Sequence, residues 1–321
     1  MSGQPPAGPL PAPPLADESV NRRQLDLFID GADALLIHEI VTGLISRNIG
    51  RTDTALRRLT REHPRHPDLM ALSALVEVLT ALGPTARNHE AVAERIELIE
   101  HRLLPTARRF FGSNADVVLR PVWQALATSA AGLPFDLANP RAHQAWLCQQ
   151  YGGWTEVVAA VEKEPDWADR PLLSYWMGLA QHHLGAREVA IRLWLPLCWT
   201  HASLFEAHAP TLPNSTIRAG WVAFEQADTF EASLAHGAPR TPWFPGWLLL
   251  RHRGLSRLFH PDDVHDTGRP ASVFRHLLAL LSLEQRGLTD ELVRQRRALR
   301  QLDEGFFRYY MAVVAERRAS S

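Results

Sequence analysis

Residues 178–190 read GLAQHHLGAREVA and residues 43–55 read GLISRNIGRTDTA. Both stretches spell G-x6-G-x4-A, through Gly43, Gly50 and Ala55 and again through Gly178, Gly185 and Ala190. The spacing predicts a helix, a tight turn and a second helix folded back on the first. The first Gly and the Ala are expected where two antiparallel helices approach most closely. The middle Gly is expected to end the first helix, because a left-handed conformation costs little for a residue without Cβ.

Working outward from these hairpins, the apolar period stays helical. Leu36, Ile40, Gly43 and Leu44 fall on one face, Thr52 suits an N-cap, and Ala55, Leu56 and Leu59 form the stripe of the next helix. EHPRHPDL (62–69) stops that helix, and Asp68 is expected to start another that carries Leu69, Leu72, Leu75, Val76 and Leu79. HEAVAERIELIEHRLL (89–104) predicts a further amphipathic helix ending near Pro105. No sustained period-two alternation occurs, so the chain reads as all-α.

Past residue 140 the repetition becomes denser. A shift of 32 residues superposes Leu147 on Leu179, Gly153 on Gly185, Glu156 on Glu188 and Val157 on Val189. Gly220, Ala227 and Ala232 repeat the small positions, and Leu280, Gly287 and Leu292 do so more faintly. A last helix is expected from the N-cap Thr289, with Asp290 and Glu291 in its first turn and a seam of Leu292, Leu299, Leu302, Phe306, Tyr309 and Val313. The implied organisation is a Pro-rich disordered tail over 1–21, a helical region over 22–140 with one hairpin, and a repeat region over 141–321.

These hairpins resemble tetratricopeptide repeats, whose units run about 34 residues. Pro64 and Pro67 close the first unit as family repeats close. The chain departs from the family where a large apolar residue and, seven positions later, an aromatic are usual: those positions hold Glu39 and Ser46, then Ser174 and Gln181. Residues from about 84 to 140 fit no repeat. The resemblance implies a superhelix of stacked helix pairs with a concave face that holds a peptide or partner protein.

Composition narrows the function classes. The 321 residues carry a formal net charge of −1, so no global field draws the chain to nucleic acid or an anionic membrane. Lys163 is the sole lysine, a bias expected of a bacterial genome rich in GC. Cys148 and Cys198 each sit in an apolar helical pattern and read as buried thiols in a reducing cytoplasm. The N-terminus lacks the pattern of a secretory signal, and apolar runs such as WLLL fall far short of the ~20 residues a bilayer needs.

Candidate chemistry is sparse. The chain has no G-x-S-x-G, P-loop or G-x-G-x-x-G, so neither a catalytic residue nor a cofactor is expected. His201, Glu206 and His208 in HASLFEAH, or His260, Asp262, Asp263 and His265 in HPDDVHD, supply the alternative of a metal protein or all-α enzyme, although neither matches a known ligand spacing. Of ten tryptophans, Trp123 alone precedes residue 146. Most are expected to be core, while indole and guanidinium are also the groups that anchor interfaces. WFPGWLLLRHRGLSRLF (243–259) is read as a buried helix with arginines reaching outward, or as a membrane-surface segment. The candidate partner-binding residues are therefore Trp243, Trp247, Arg251 and Arg257, with Arg294 and Arg297 on the last helix. The expectation is a cytoplasmic, non-catalytic scaffold that docks another protein and no nucleic acid.

Overall fold

The structure is a computed structural model that describes residues 18–46, 48–80, 88–227, 230, 239–284, 287 and 289–320, with the backbone alone at 18–31, 80 and 320. Among the described residues every regular element is helical and none is a strand. The expected tail over 1–21 lies outside the described residues up to residue 17, and its last four residues open the first helix. The chain divides into two units: residues 1–84 with 94–125, and residues 85–93 with 126–321.

In the first unit, α1 (Glu18–Ile45) packs on α2 (Ile49–Glu62), α2 on α3 (Leu69–Thr80), and α3 on α5 (Leu104–Phe111). Leu36, Ile40, Ala55, Leu59, Leu72 and Val76 form the core between them. Gly43 marks a close approach, as its spacing predicts: a Cβ there would lie 2.4 Å from Thr52 Oγ1. The turn itself differs from expectation. Gly50 sits inside the first turn of α2 without a positive φ, and Thr52 is a buried helical residue rather than the cap. Asn48 caps instead. Its side-chain oxygen accepts from Arg51 N–H at 3.0 Å, and its own N–H donates to the Gly43 carbonyl at 2.8 Å.

Pro105 does not end its helix either. α4 (His89–Leu98) runs through a π turn, Ile99–Leu103, directly into α5. Leu104 N–H reaches back to the Ile99 carbonyl, five residues away, so the ladder is already displaced where the proline lacks its donor. α6 (Ala115–Ser129) follows and contains Pro121.

The second unit opens with two hairpins of the same construction. α7 (Gln144–Gln149) packs on α8 (Trp154–Glu162), α8 on α9 (Pro171–His183), and α9 on α10 (Arg187–Trp194). Gly185 takes φ +92°, as the sequence predicts, and closes α9 with paired bonds from Ala186 N–H to the Gln181 carbonyl (2.8 Å) and from Gly185 N–H to the His182 carbonyl (3.1 Å). The same cap ends α7: Gly152 takes φ +75°, Gly153 N–H donates to Cys148 and Gly152 N–H to Gln149. The structural period is therefore 33 residues, not 32, since Gly152 corresponds to Gly185 and Trp154 to Arg187, the first residues of α8 and α10. In that register buried positions coincide: Ala145 with Gly178, Leu147 with Ala180, Val157 with Ala190, Val161 with Trp194. Gly178 meets the Trp194 indole, whose N–H donates to the Tyr175 carbonyl at 3.2 Å.

Beyond these hairpins come α11 (Leu197–Thr200) and α12 (Ala202–His208), then α13 (Ser215–Glu225), which packs on α14 (Phe244–Arg251). α14 packs on α15 (Arg269–Glu284), α15 on α16 (Asp290–Leu302), and α16 on α17 (Glu304–Ser320). Gly220 faces Leu248 of α14, and Gly287 takes φ +93° before α16, whereas Ala232 lies outside the described residues. Thr289 caps α16 as expected, accepting from Leu292 N–H at 3.2 Å. The single last helix does not hold: Asp303 leaves helical geometry and accepts from Phe306 N–H at 2.7 Å, which starts α17.

None of the ten tryptophans is exposed. Trp221, Phe224, Phe230, Phe244, Trp247, Phe306 and Tyr309 form a continuous run of ring contacts with centroids 5.1–6.3 Å apart. Both cysteines are buried and free, and burial pushes their thiols up from the usual value. Among the described residues no helix is long and apolar enough to cross a membrane.

Candidate functional site: an arginine cluster around Glu284

The helix α14 is buried on every side from Phe244 to Leu250, which rules out an exposed apolar face for WFPGWLLL. It ends abruptly at Arg251, and the freed carbonyls at that end need donors. Arg317, from α17, supplies them: its Nη2 lies 2.6 Å from the Leu250 oxygen and 3.3 Å from that of Arg251. Arg251 itself turns back over the Trp247 ring, 5.2 Å from its centroid, and donates through Nε and Nη2 to the Tyr309 hydroxyl at 3.3 Å each.

Arg253 leads the short 3-10 segment that follows and reaches Glu284, the last residue of α15. Glu284 is 12% exposed at its side chain and receives three donors. Arg253 Nη1 binds Oε2 at 2.6 Å, Arg296 Nη2 binds Oε1 at 3.0 Å, and the Tyr310 hydroxyl donates to the same Oε1. Arg296 Nε in turn donates to Tyr310 Oη at 3.0 Å.

The electrostatics follow from this geometry. Burial alone would raise the Glu284 carboxyl, but its bonds from Tyr310 and Arg296 and the charge of Arg253 outweigh burial and hold it below the usual carboxylate range. Burial, reinforced by Glu284, pushes Tyr310 up to about 12. The Arg317 pKa is lowered, first by burial and then by the neighbouring Arg253 guanidinium.

A second buried network lies at the start of α7. His143, 2% exposed, accepts from Ala145 N–H through Nδ1 at 3.2 Å, leaving Nε2 to face Glu164 Oε1 at 3.4 Å. Glu164 also accepts from Phe135 N–H at 3.1 Å and pairs with Arg170 at 3.0 Å. Burial pulls the His143 pKa below its usual value. The imidazole is closed in by Phe135 and Trp176, so its role is to hold the loop before α7.

Of the residues singled out from sequence, Trp243 and Trp247 are core at 6% and 3% exposure, too enclosed to act as surface anchors. Arg251 belongs to the cluster. Arg257 and Arg297 are exposed, and Arg294 pairs with Glu291 on the surface of α16. The two groupings offered as the metal alternative do not assemble. Glu206 accepts from Thr241, His208 stacks on Tyr175 at 4.3 Å, and the HPDDVHD loop uses His260 and Asp263 to cap a 3-10 turn. Among the described residues Glu97, Glu100 and His101 bring donor atoms within 4.8 Å of one another, on a largely exposed helix face where such pairs are common without an ion. Sequence reasoning did not single out Glu284, Tyr310 or Arg317, and it read Arg253 and Arg296 only as arginines of outward faces, not as members of one site. The one usable signal was a lone Glu at the end of an apolar helix. Comparison with family models, curated proteins and solved structures finds no match to this chain.

Proposed function

We propose that the chain is a non-catalytic, tetratricopeptide-like scaffold of the cytoplasm that docks another protein through its second unit, over residues from about 143 to 310. The observation that carries this reading is the 33-residue recurrence of a whole hairpin: the same two-bond cap at Gly152 and Gly185, the same helix start, the same buried positions. From α7 to α10 each helix packs on the next in order, as in repeat proteins, and such stacks serve mainly as preorganised binding surfaces. None of the indoles is exposed, and all the basic side chains but Lys163 are arginine.

Photo-crosslinking in the native host tests the reading. A photoreactive residue placed at Glu188 or Arg297, both exposed, should yield a defined adduct whose partner, once purified, rebinds the isolated protein with a fixed stoichiometry. Stoichiometric metal in the purified protein would move the assignment to a metal protein, and flotation with liposomes would move it to a membrane adaptor. A protein that crosslinks only to itself from every exposed face would end the scaffold reading.

A further inference from the structure

We propose that Arg251, at the C-terminal end of α14 beside Arg253, is a preorganised site for a carboxylate side chain carried by an acidic segment of the partner. The proposal rests on the scaffold reading above and names the chemistry by which that scaffold selects its partner.

Charge counting gives the first argument. Arg251, Arg253, Arg296 and Arg317 are gathered at one end of α14, where the carboxylates among the described residues include Glu284 and, near Tyr309, Glu316. Glu284 is engaged by three donors: one oxygen holds Arg253, the other holds Arg296 and Tyr310. Arg251 is not among them, and its hydrogen bonds go through Nε and Nη2 to a phenol rather than to an acid.

Orientation gives the second. Arg251 is exposed yet fixed, with its guanidinium held against Trp247 and tied to Tyr309, so little side-chain freedom remains to be lost on binding. Among the described residues its Nη1 has no acceptor. Arg253 holds Glu284 through Nη1, and its Nε is buried, closed to an incoming group, so it adds positive charge beside Arg251 rather than a second open donor. A fork-shaped donor held in place with an open edge suits a planar carboxylate.

The alternatives fit less well. A nucleic-acid strand would need exposed aromatic platforms beside the arginines, and the indoles are not exposed. A membrane surface would need an exposed apolar face, and Phe244 to Leu250 are buried.

The test is fluorescence anisotropy of a labelled octaglutamate peptide, with octaserine as control, on the full chain. Saturable binding of octaglutamate that weakens with added salt is expected. Arg251→Gln should weaken it roughly tenfold or more, Arg251→Lys by a smaller factor because the planar fork is lost, and Arg192→Gln, an exposed arginine on α10, should leave it unchanged. Tyr309→Phe keeps every charge and loosens Arg251, so it should weaken binding while the thermal midpoint reports whether the fold is intact. Octaglutamate binding equal to wild type in Arg251→Gln overturns the site, as does no saturable binding. Tighter binding of an RNA oligomer or of anionic vesicles at the same arginines overturns the choice of partner. Partner adducts that survive Arg251→Gln undiminished would remove the site and leave the scaffold standing.

Discussion

Gly178→Ala isolates the close approach on which the α9–α10 hairpin depends. A Cβ at this position would lie 2.3 Å from Nε1, 2.7 Å from Cε2 and 2.8 Å from Cδ1 of Trp194. The obstacle is a planar ring with no exposure and no flexible end to move aside. Either the indole rotates, breaking its bond to the Tyr175 carbonyl, or the helices part. Overpacking of this kind costs about 1–3 kcal/mol and a stranded buried donor costs a similar amount. Against this, replacing Gly by Ala in a helix interior contributes about 1 kcal/mol in favour. The balance is a net loss of about 2–4 kcal/mol, which for a unit of this size lowers Tm by roughly 5–15 °C. Thermal and urea denaturation of Gly178→Ala, Trp194→Leu and the double variant provide the assay. Removing the indole should make the alanine tolerable, so the two substitutions should couple by about 1–3 kcal/mol in the rescuing direction. A Tm at or above wild type for Gly178→Ala, or simple additivity in the double variant, would refute the account of this hairpin.

Three further outcomes follow from the same geometry. Gly185 has φ +92° and open space, with nothing within 4 Å of the point a Cβ would occupy. Gly185→Val should therefore destabilise by about 1–2 kcal/mol through backbone strain alone, and Gly185→Asn by clearly less. Equal denaturation midpoints for the two variants would contradict this. His143 has a lowered folded pKa, so its contribution is complete above the unfolded value of about 6.5 and is lost as pH falls from there toward the folded value. The wild type should therefore lose stability between pH 7 and 5 faster than His143→Asn, which keeps a cap acceptor without a titrating ring; parallel slopes in urea titrations would count against the assignment. Glu284→Gln leaves Arg253 and Arg296 without their shared carboxylate and should cost about 2–4 kcal/mol, whereas Glu291→Gln breaks an exposed pair and should cost less than about 1 kcal/mol. Similar denaturation midpoints for these two would show that the Glu284 network is not structural.

What the sequence disclosed was whatever a few neighbouring residues decide among themselves. Helical periodicity, the left-handed Gly185 and the Thr289 cap are local, and each stands where the pattern puts it. Errors arose where two local solutions compete. At the α1–α2 turn Gly50 offers a left-handed conformation and Asn48 a side-chain cap; the cap forms, and Gly50 is drawn into the helix. Pro105 has a helix-breaking ring, yet a π turn one residue earlier absorbs its missing donor, a choice that cannot be read from the proline alone. The Glu284 cluster was illegible for another reason. The groups that donate to Glu284 lie 12 to 31 residues from it, and Arg317 reaches a carbonyl 67 residues back, so no spacing within a helix could have announced them.

The one-residue error in the repeat period shows why identity is a weaker guide than burial. A 32-residue shift aligns identical letters, Leu147 with Leu179 and Val157 with Val189, but pairs buried residues with half-buried ones. The 33-residue shift sacrifices those identities and aligns what the fold uses. It places Gly152, not its neighbour Gly153, opposite Gly185. Gly153 takes an ordinary φ as the N-cap of α8, where a Cβ would strike the Tyr151 ring at 2.3 Å. Each glycine of the pair thus answers a different demand, one of dihedral freedom and one of space. Only the first recurs in the next hairpin, because α9 ends without an aromatic at the matching place: Leu184 stands where α7 is followed by Tyr151. Space then passes to Gly178, where Trp194 closes on α9. The two hairpins share a backbone plan and fill it with different side chains.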